Sequence, residues 1–149
     1  MKEEPGFITK FFDKAYEAKS ILELPKAPVT AISGVSESDA KNLKKAFGIE
    51  TVEDLAKNKY VRLAQGVNFF SAVTGEILDK KFESKEFKEL AGKPVSAISG
   101  ISEGDAALLK KAFGINTIAE LAENKFVSVA QATVSLSSLA QIMIAAGSL

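Results

Sequence analysis

The chain has 149 residues, of which 46% are hydrophobic and 26% are charged, a composition typical of a single globular domain. It contains no cysteine and no histidine, which excludes disulfides, thiolate nucleophiles, imidazole bases and nearly all zinc sites. The 19 basic and 19 acidic residues cancel, so the chain has no overall field that would attract nucleic acid or an anionic membrane.

The chain opens with a predicted helix and a short turn. Apolar residues from Phe7 to Leu22 recur at helical spacing, which predicts a helix over about residues 7–24, ended by Pro25. Residues 28–32 are then predicted to form a short helical turn, which Gly34 breaks.

Two short capped helices follow this turn. Ser36 is predicted to cap the first helix, with Asp39 at its third position, and Gly48 is predicted to end it. Thr51 and Asp54 have the same spacing, so they predict a second, shorter helix.

Two longer helices are also predicted. One runs from Tyr60 to about Lys81, where apolar residues recur at three- and four-residue steps. The other runs from Phe126 to about Ala146, within an uncharged end of the chain. Serine, threonine and glutamine dilute the apolarity of that end, so no membrane span is expected. The charged amino terminus lacks the apolar region of a signal peptide, which predicts a cytoplasmic protein.

The chain contains one sequence twice. Residues 28–67 (copy 1) and 94–133 (copy 2) align without gaps at an offset of 66 positions, and 25 of the 40 aligned residues are identical. No segment shows the two-residue alternation of a strand. The sequence therefore predicts an all-α protein of two tandem repeats packed into one compact unit. The predicted boundaries are 5–70 for repeat 1, 71–136 for repeat 2 and 137–149 for a carboxyl-terminal helix extension.

Two motifs in each copy carry a family resemblance. They are VTAISGVS at 29–36 with FGIETVEDLA at 47–56, and VSAISGIS at 95–102 with FGINTIAELA at 113–122. The pattern resembles the helix-hairpin-helix family. The nearer likeness is to its non-enzymatic members, such as the amino-terminal domain of archaeal and eukaryotic recombinases and the carboxyl-terminal domain of bacterial RNA polymerase alpha subunits. The resemblance implies a binding module, commonly one whose hairpin amides hold the DNA backbone.

The hairpin amides and nearby lysines form a candidate DNA-backbone site. In DNA-binding members of the family the hairpin is usually Gly-hydrophobic-Gly, whereas serine takes the place of the second glycine here. Carboxylates in the first turn of the next helix satisfy the same N–H groups and repel phosphate, which favours a structural role. A lysine run on a helix is also typical of a solvated face. The residues of this alternative are Gly34, Ser36, Lys41, Lys44, Lys45, Gly100, Ser102, Lys110 and Lys111.

The two copies differ at positions predicted to be exposed. Copy 2 replaces charged or polar residues of copy 1 with apolar ones, and such residues are a poor choice for a solvated surface. This predicts that something covers copy 2: the other repeat, the final helix, a protein partner or a second subunit. The candidate partner surface consists of Ala107, Leu108, Ala119, Leu136 and Met143.

Together these patterns favour a non-catalytic interaction or scaffold module that acts by protein–protein contact or self-association. Sequence-independent binding of the DNA backbone is the alternative. The sequence has no phosphate loop, no nucleophile elbow and no metal-ligand spacing, so neither an enzyme nor a cofactor is expected.

Overall fold

The computed structural model describes residues 6–77 and 86–147, and within them the chain is all-α, with no strand. The fold class predicted from the sequence is therefore confirmed. Short 3-10 turns, among them Val29–Ala31 and Val95–Ala97, separate the helices. The helices are α1 (Phe7–Phe11), α2 (Glu37–Phe47), α3 (Val52–Lys57), α4 (Lys59–Ile77), α5 (Glu86–Ala91), α6 (Glu103–Phe113), α7 (Ile118–Ala122) and α8 (Lys125–Ala145).

The predicted capping boxes are present in both copies. The Asp39 N–H donates to Ser36 Oγ (3.0 Å), and the Ser36 N–H donates to the Asp39 carboxylate (3.1 Å). The same reciprocal pair starts α6, and equivalent threonine boxes start α3 and α7. Gly48 ends α2 at a φ of 70°, in the left-handed region that only glycine adopts at little cost.

Backbone pairing ties the turn before each hairpin to the loop after the next helix. In copy 1, the Val29 N–H donates to Glu50 O (3.0 Å) and the Val52 N–H donates to Ala27 O (2.9 Å). In copy 2 the matching donors, Val95 and Ile118, make the matching bonds at 3.0 Å. These bonds hold the first turn against the loop between α2 and α3, and the second turn against the loop between α6 and α7.

The predicted helix over residues 7–24 is wrong beyond Phe11. Phe12 has an extended backbone and forms an isolated antiparallel bridge with Ile32. The Asp13 N–H then donates to Ala31 O (2.9 Å), and the Phe12 side chain is buried. Burial of this ring and pairing with the turn at 29–31 replace the hydrogen bonds that a continued helix would have made.

The two copies pack reciprocally around one core. Helix α2 packs against α6, α3 packs against α8, and α4 packs against α7, so each of these contacts joins one copy to the other. Five side chains of copy 1 and their counterparts in copy 2 surround a residual cavity of only ≈ 10 Å³. They are Leu43, Phe47, Ile49, Leu55 and Val61, with Leu109, Phe113, Ile115, Leu121 and Val127.

The two long helices agree with the sequence over the part that can be compared. Helix α4 reaches Ile77, and the predicted continuation to Lys81 lies outside the described residues. Helix α8 is buried at intervals as far as Ser137. A window within Ile118–Ala145 has a mean hydropathy of 1.4, so by length and composition this region could cross a membrane, and 22% of it is buried. The absence of a membrane span stays a prediction.

Candidate functional site

Each hairpin lies beneath an aromatic ring from the other copy. Gly34 and Gly100 have φ values of 96° and 99°, which favour glycine. A Cβ at Gly34 would come within 3.1 Å of the Phe126 ring, and one at Gly100 would come within 2.5 Å of Tyr60 Oη. The Tyr60 hydroxyl also donates to Gly100 O (3.3 Å). The hairpins are therefore part of the contact between the copies.

Two amides of the first hairpin and one in the helix that follows it already have acceptors inside the chain. The Val35 N–H donates to Ile32 O (3.1 Å), and the capping box engages the N–H groups of Ser36 and Asp39. The second hairpin repeats these three bonds. This arrangement agrees with the structural role that the sequence favoured for the hairpins, because a phosphate would have to compete with carboxylates in the first turn.

The lysines of the DNA-backbone alternative are all exposed on α2 and α6. Lys44 Nζ lies 2.9 Å from the Glu50 carboxylate. The hydrogen bond to Glu50, and then the charge of Glu50, raise the pKa of Lys44 above its usual value. Copy 2 has Asn116 in place of Glu50, so the pair has no counterpart beside Lys110.

The predicted partner surface is only partly exposed. Ala107 is exposed, whereas Leu108 and Ala119 are half-buried, so the assumption that all three are fully exposed needs correction. Leu108 lies on α6, which packs against α2, and its counterpart Asn42 on α2 is half-buried as well. Of the alternatives that the sequence left open, packing within the chain accounts for Ala119, which lies against the shared core. What covers Leu108 stays a prediction.

The end of α8 carries five of the large apolar side chains that are exposed in the described chain. The predicted residues Leu136 and Met143 are 41% and 36% exposed. The same uncharged run after Lys125 supplies three further exposed apolar side chains. We call the set the distal apolar surface: Leu136, Leu139, Ile142, Met143 and Ile144.

Copy 1 matches a known protein family. Residues 27–75 match the family model described as SAM-like helix-hairpin-helix tandem. The chain contains a helix-hairpin-helix domain. The match runs from the turn before the first hairpin through most of α4. The predicted resemblance is thus confirmed over this segment. Helix-hairpin-helix domains commonly take part in nucleic acid or protein interaction. Neither the curated proteins nor the solved structures give a match to the chain.

Proposed function

We propose that this helix-hairpin-helix protein is a non-catalytic interaction module that contacts protein through the distal apolar surface of α8. One observation carries the proposal: Leu139, Ile142 and Ile144 are 51%, 66% and 47% exposed on a helix end without charged residues. Contiguous apolar patches on soluble proteins commonly mark interaction sites. Burying a fully exposed side chain of this kind is worth about 1.5–3 kcal/mol, and these side chains are about half exposed, so covering several of them together gives useful affinity.

Self-association is the simplest form of this contact, and light scattering over a concentration series tests it. We expect a dimer that dissociates when Leu139 and Ile142 are both changed to Glu, because the new carboxylates would have to be buried in the interface. Ser138→Glu is the matched control. It adds a charge at an exposed polar position of the same helix, outside the apolar set, and should disturb the dimer less.

Two other results would change this assignment. A chain that is monomeric at every concentration contradicts self-association. A monomer that also floats with phospholipid vesicles, and loses this property in the Leu139→Glu, Ile142→Glu variant, assigns the surface to a membrane instead. The experiment with vesicles is needed because the region that contains α8 is long and apolar enough to cross a membrane.

Sequence-independent binding of the DNA backbone is the second candidate function. The domain match and the exposed lysines of α2 and α6 favour it. Fluorescence anisotropy with duplex and single-stranded DNA across a salt series tests it. Binding that weakens steeply with salt, and whose salt slope falls when Lys44 and Lys45 become Ala, would support DNA binding. We expect no such binding, because capping carboxylates hold hairpin amides in both copies.

A further inference from the structure

A second candidate site lies at the opposite end of α8, where the helix begins beside the first hairpin. A pocket of ≈ 220 Å³ opens there between α1, the hairpin and α8. Phe11, Ile32, Phe126 and Val129 supply its apolar lining. No charged residue other than lysine contributes to that lining.

Two lysines lie at this pocket, each held over an aromatic ring. Lys10 Nζ is 5.5 Å from the centroid of the Phe11 ring, and Lys125 Nζ is 5.0 Å from the centroid of the Phe126 ring. The negative face of each ring attracts the ammonium group and keeps it beside the apolar lining. Among the described residues, neither lysine has a carboxylate within ion-pair distance.

One carboxylate is attached to the pocket wall. Ser33, which also lines the pocket, donates from its hydroxyl to Asp13 Oδ1 (3.2 Å). Two ammonium groups therefore face one carboxylate, and the pocket keeps an excess of positive charge. A ligand complementary to this pocket has an apolar group of the size of the cavity and negative charges beside that group.

We propose that this pocket binds one apolar side chain of an acidic peptide segment, whose flanking carboxylates pair with Lys10 and Lys125. Its volume is below the roughly 300–1,000 Å³ of pockets that hold a whole drug-sized ligand, which suits a single anchoring side chain. A nucleobase fits less well, because an ammonium group occupies one face of each half-buried ring. The inference rests on the proposed function in one respect, that the partner is a protein.

The second hairpin provides a built-in comparison for this pocket. Lys59 Nζ lies 5.0 Å from the centroid of the Tyr60 ring, which repeats the arrangement of Lys125 and Phe126. The sequence position that corresponds to Lys10 is Glu76, so the sequence does not repeat the pair of lysines. An acidic peptide should therefore prefer the pocket beside the first hairpin.

The test is an NMR titration of the full ¹⁵N-labelled chain with a synthetic peptide in which glutamates flank a central leucine on both sides. We expect the amide signals of Ile32, Ser33 and Val129 to shift. Lys10→Gln and Lys125→Gln should each weaken binding about twofold to fivefold, the range for an exposed ion pair.

Two further variants sharpen the titration. Lys59→Gln, the matched control beside the second hairpin, should leave the peptide affinity unchanged. Asp13→Asn should strengthen binding, since it removes the carboxylate that opposes the ligand charge.

Three results would overturn the inference. The first is that the pocket amides do not shift at millimolar peptide. The second is that a peptide with glutamine in place of glutamate binds equally well. The third is that oligothymidylate shifts the same amides more strongly, which would make this a nucleic-acid site.

The Leu139→Glu variant separates this site from the distal apolar surface. If the peptide still shifts the pocket amides in this variant, the pocket is a binding site whether or not the chain self-associates. If the shifts vanish, the peptide binds at the distal surface and the pocket assignment is wrong.

Discussion

Helices α4 and α8 are counterparts in the two copies, yet their surroundings differ. α4 is covered by α5, and the ring of Phe87 stacks on Phe70 at 5.3 Å between centroids. α8 is approached by the 3-10 turn Leu24–Lys26 in place of a helix. Leu139 on α8 is 51% exposed, whereas its counterpart on α4, Val73, is half-buried. The sequence that the copies share therefore forms the interface between them. The poorly matched segments before each hairpin determine how much apolar surface is left for a partner.

The polar contacts across the interface between the copies are reciprocal. Gln65 Nε2 donates to Gln131 Oε1, and Gln131 Nε2 donates to Gln65 Oε1, both at 2.8 Å. Each amide also reaches a carbonyl of the other copy, Ala122 O (3.4 Å) from Gln65 and Ala56 O (3.3 Å) from Gln131. Paired substitutions at corresponding residues can test whether the two copies are equivalent at their interface and different outside it.

The largest effects should come from the shared core and should be equal in the two copies. Leu43→Ala and Leu109→Ala each remove a side chain that is 1% exposed and lines the central cavity. Each should lower the free energy of unfolding by about 2–5 kcal/mol, because the cavity does not collapse fully. Urea denaturation followed by circular dichroism measures this. Values that differ by more than about 1 kcal/mol, or a second transition in either variant, would contradict one core shared equally.

Smaller and unequal effects should come from the hairpin glycines. Gly34→Ala and Gly100→Ala both place a side chain at a positive φ, which costs about 1–3 kcal/mol. Gly100→Ala should cost more, because its new Cβ meets Tyr60 Oη, whereas the Cβ at Gly34 meets only the edge of a Phe126 ring.

Tyr60→Phe isolates this steric difference between the hairpins. The change removes the hydroxyl that a Cβ at residue 100 would strike, so Gly100→Ala should cost less in the Tyr60→Phe background than in the natural chain. Gly34→Ala should cost the same in both backgrounds. Additive costs for Gly100→Ala and Tyr60→Phe would rule out the predicted contact.

The sequence predicted the caps and hairpins well and the packing between copies poorly. Ser36 and Asp39 are three residues apart, so their bonds depend only on local backbone geometry. The Phe126 ring over Gly34 joins residues from different copies, and only the docking of the copies brings them together. The apolar spacing near Phe12 looked helical because periodicity does not reveal its bridge to Ile32.

The candidate partner surface also combines features that follow from local sequence with features that depend on packing. Leu136 and Met143 belong to the partner surface predicted from the long uncharged run after Lys125, and they are 41% and 36% exposed. The half-burial of Leu108 depends on side-chain packing in the folded chain, which no local pattern specifies. The pocket at Lys10 was missed for the same reason, since its walls come from three distant segments.

The glutamine pair should give an intermediate effect of about 1 kcal/mol for each single substitution. Gln65→Leu or Gln131→Leu leaves the remaining amide with unpaired polar atoms in a half-buried site. The double variant should cost less than the sum, because both partners are then apolar. Asn68→Leu, which removes an exposed bond to Glu123, is the control and should stay within about 0.5 kcal/mol. Full additivity in the double variant would show that the two amides do not act as a pair.

The smallest effect should come from the ion pair that only copy 1 has. Glu50→Asn removes the partner of Lys44, and the reverse change Asn116→Glu offers one to Lys110. Lys44 is fully exposed, so solvent screens the pair and its contribution to stability should be the least of the four. An alkaline NMR titration of the lysine side chains should find that Glu50→Asn lowers the pKa of Lys44 and that Asn116→Glu raises the pKa of Lys110.

The pH dependence of this contribution has a definite sign. Because Glu50 raises the folded-state pKa of Lys44, the stabilisation is complete below the usual lysine pKa and disappears as the pH rises through the raised value. The difference in unfolding free energy between the natural chain and Glu50→Asn should therefore be constant near neutral pH and, on the alkaline side, should vanish in strong alkali. A difference that changed between pH 5 and 8 would mean that Glu50 acts through another group. If Asn116→Glu gives Lys110 the pH-dependent stabilisation that Lys44 has, the copies differ here by one side chain on an otherwise equivalent backbone.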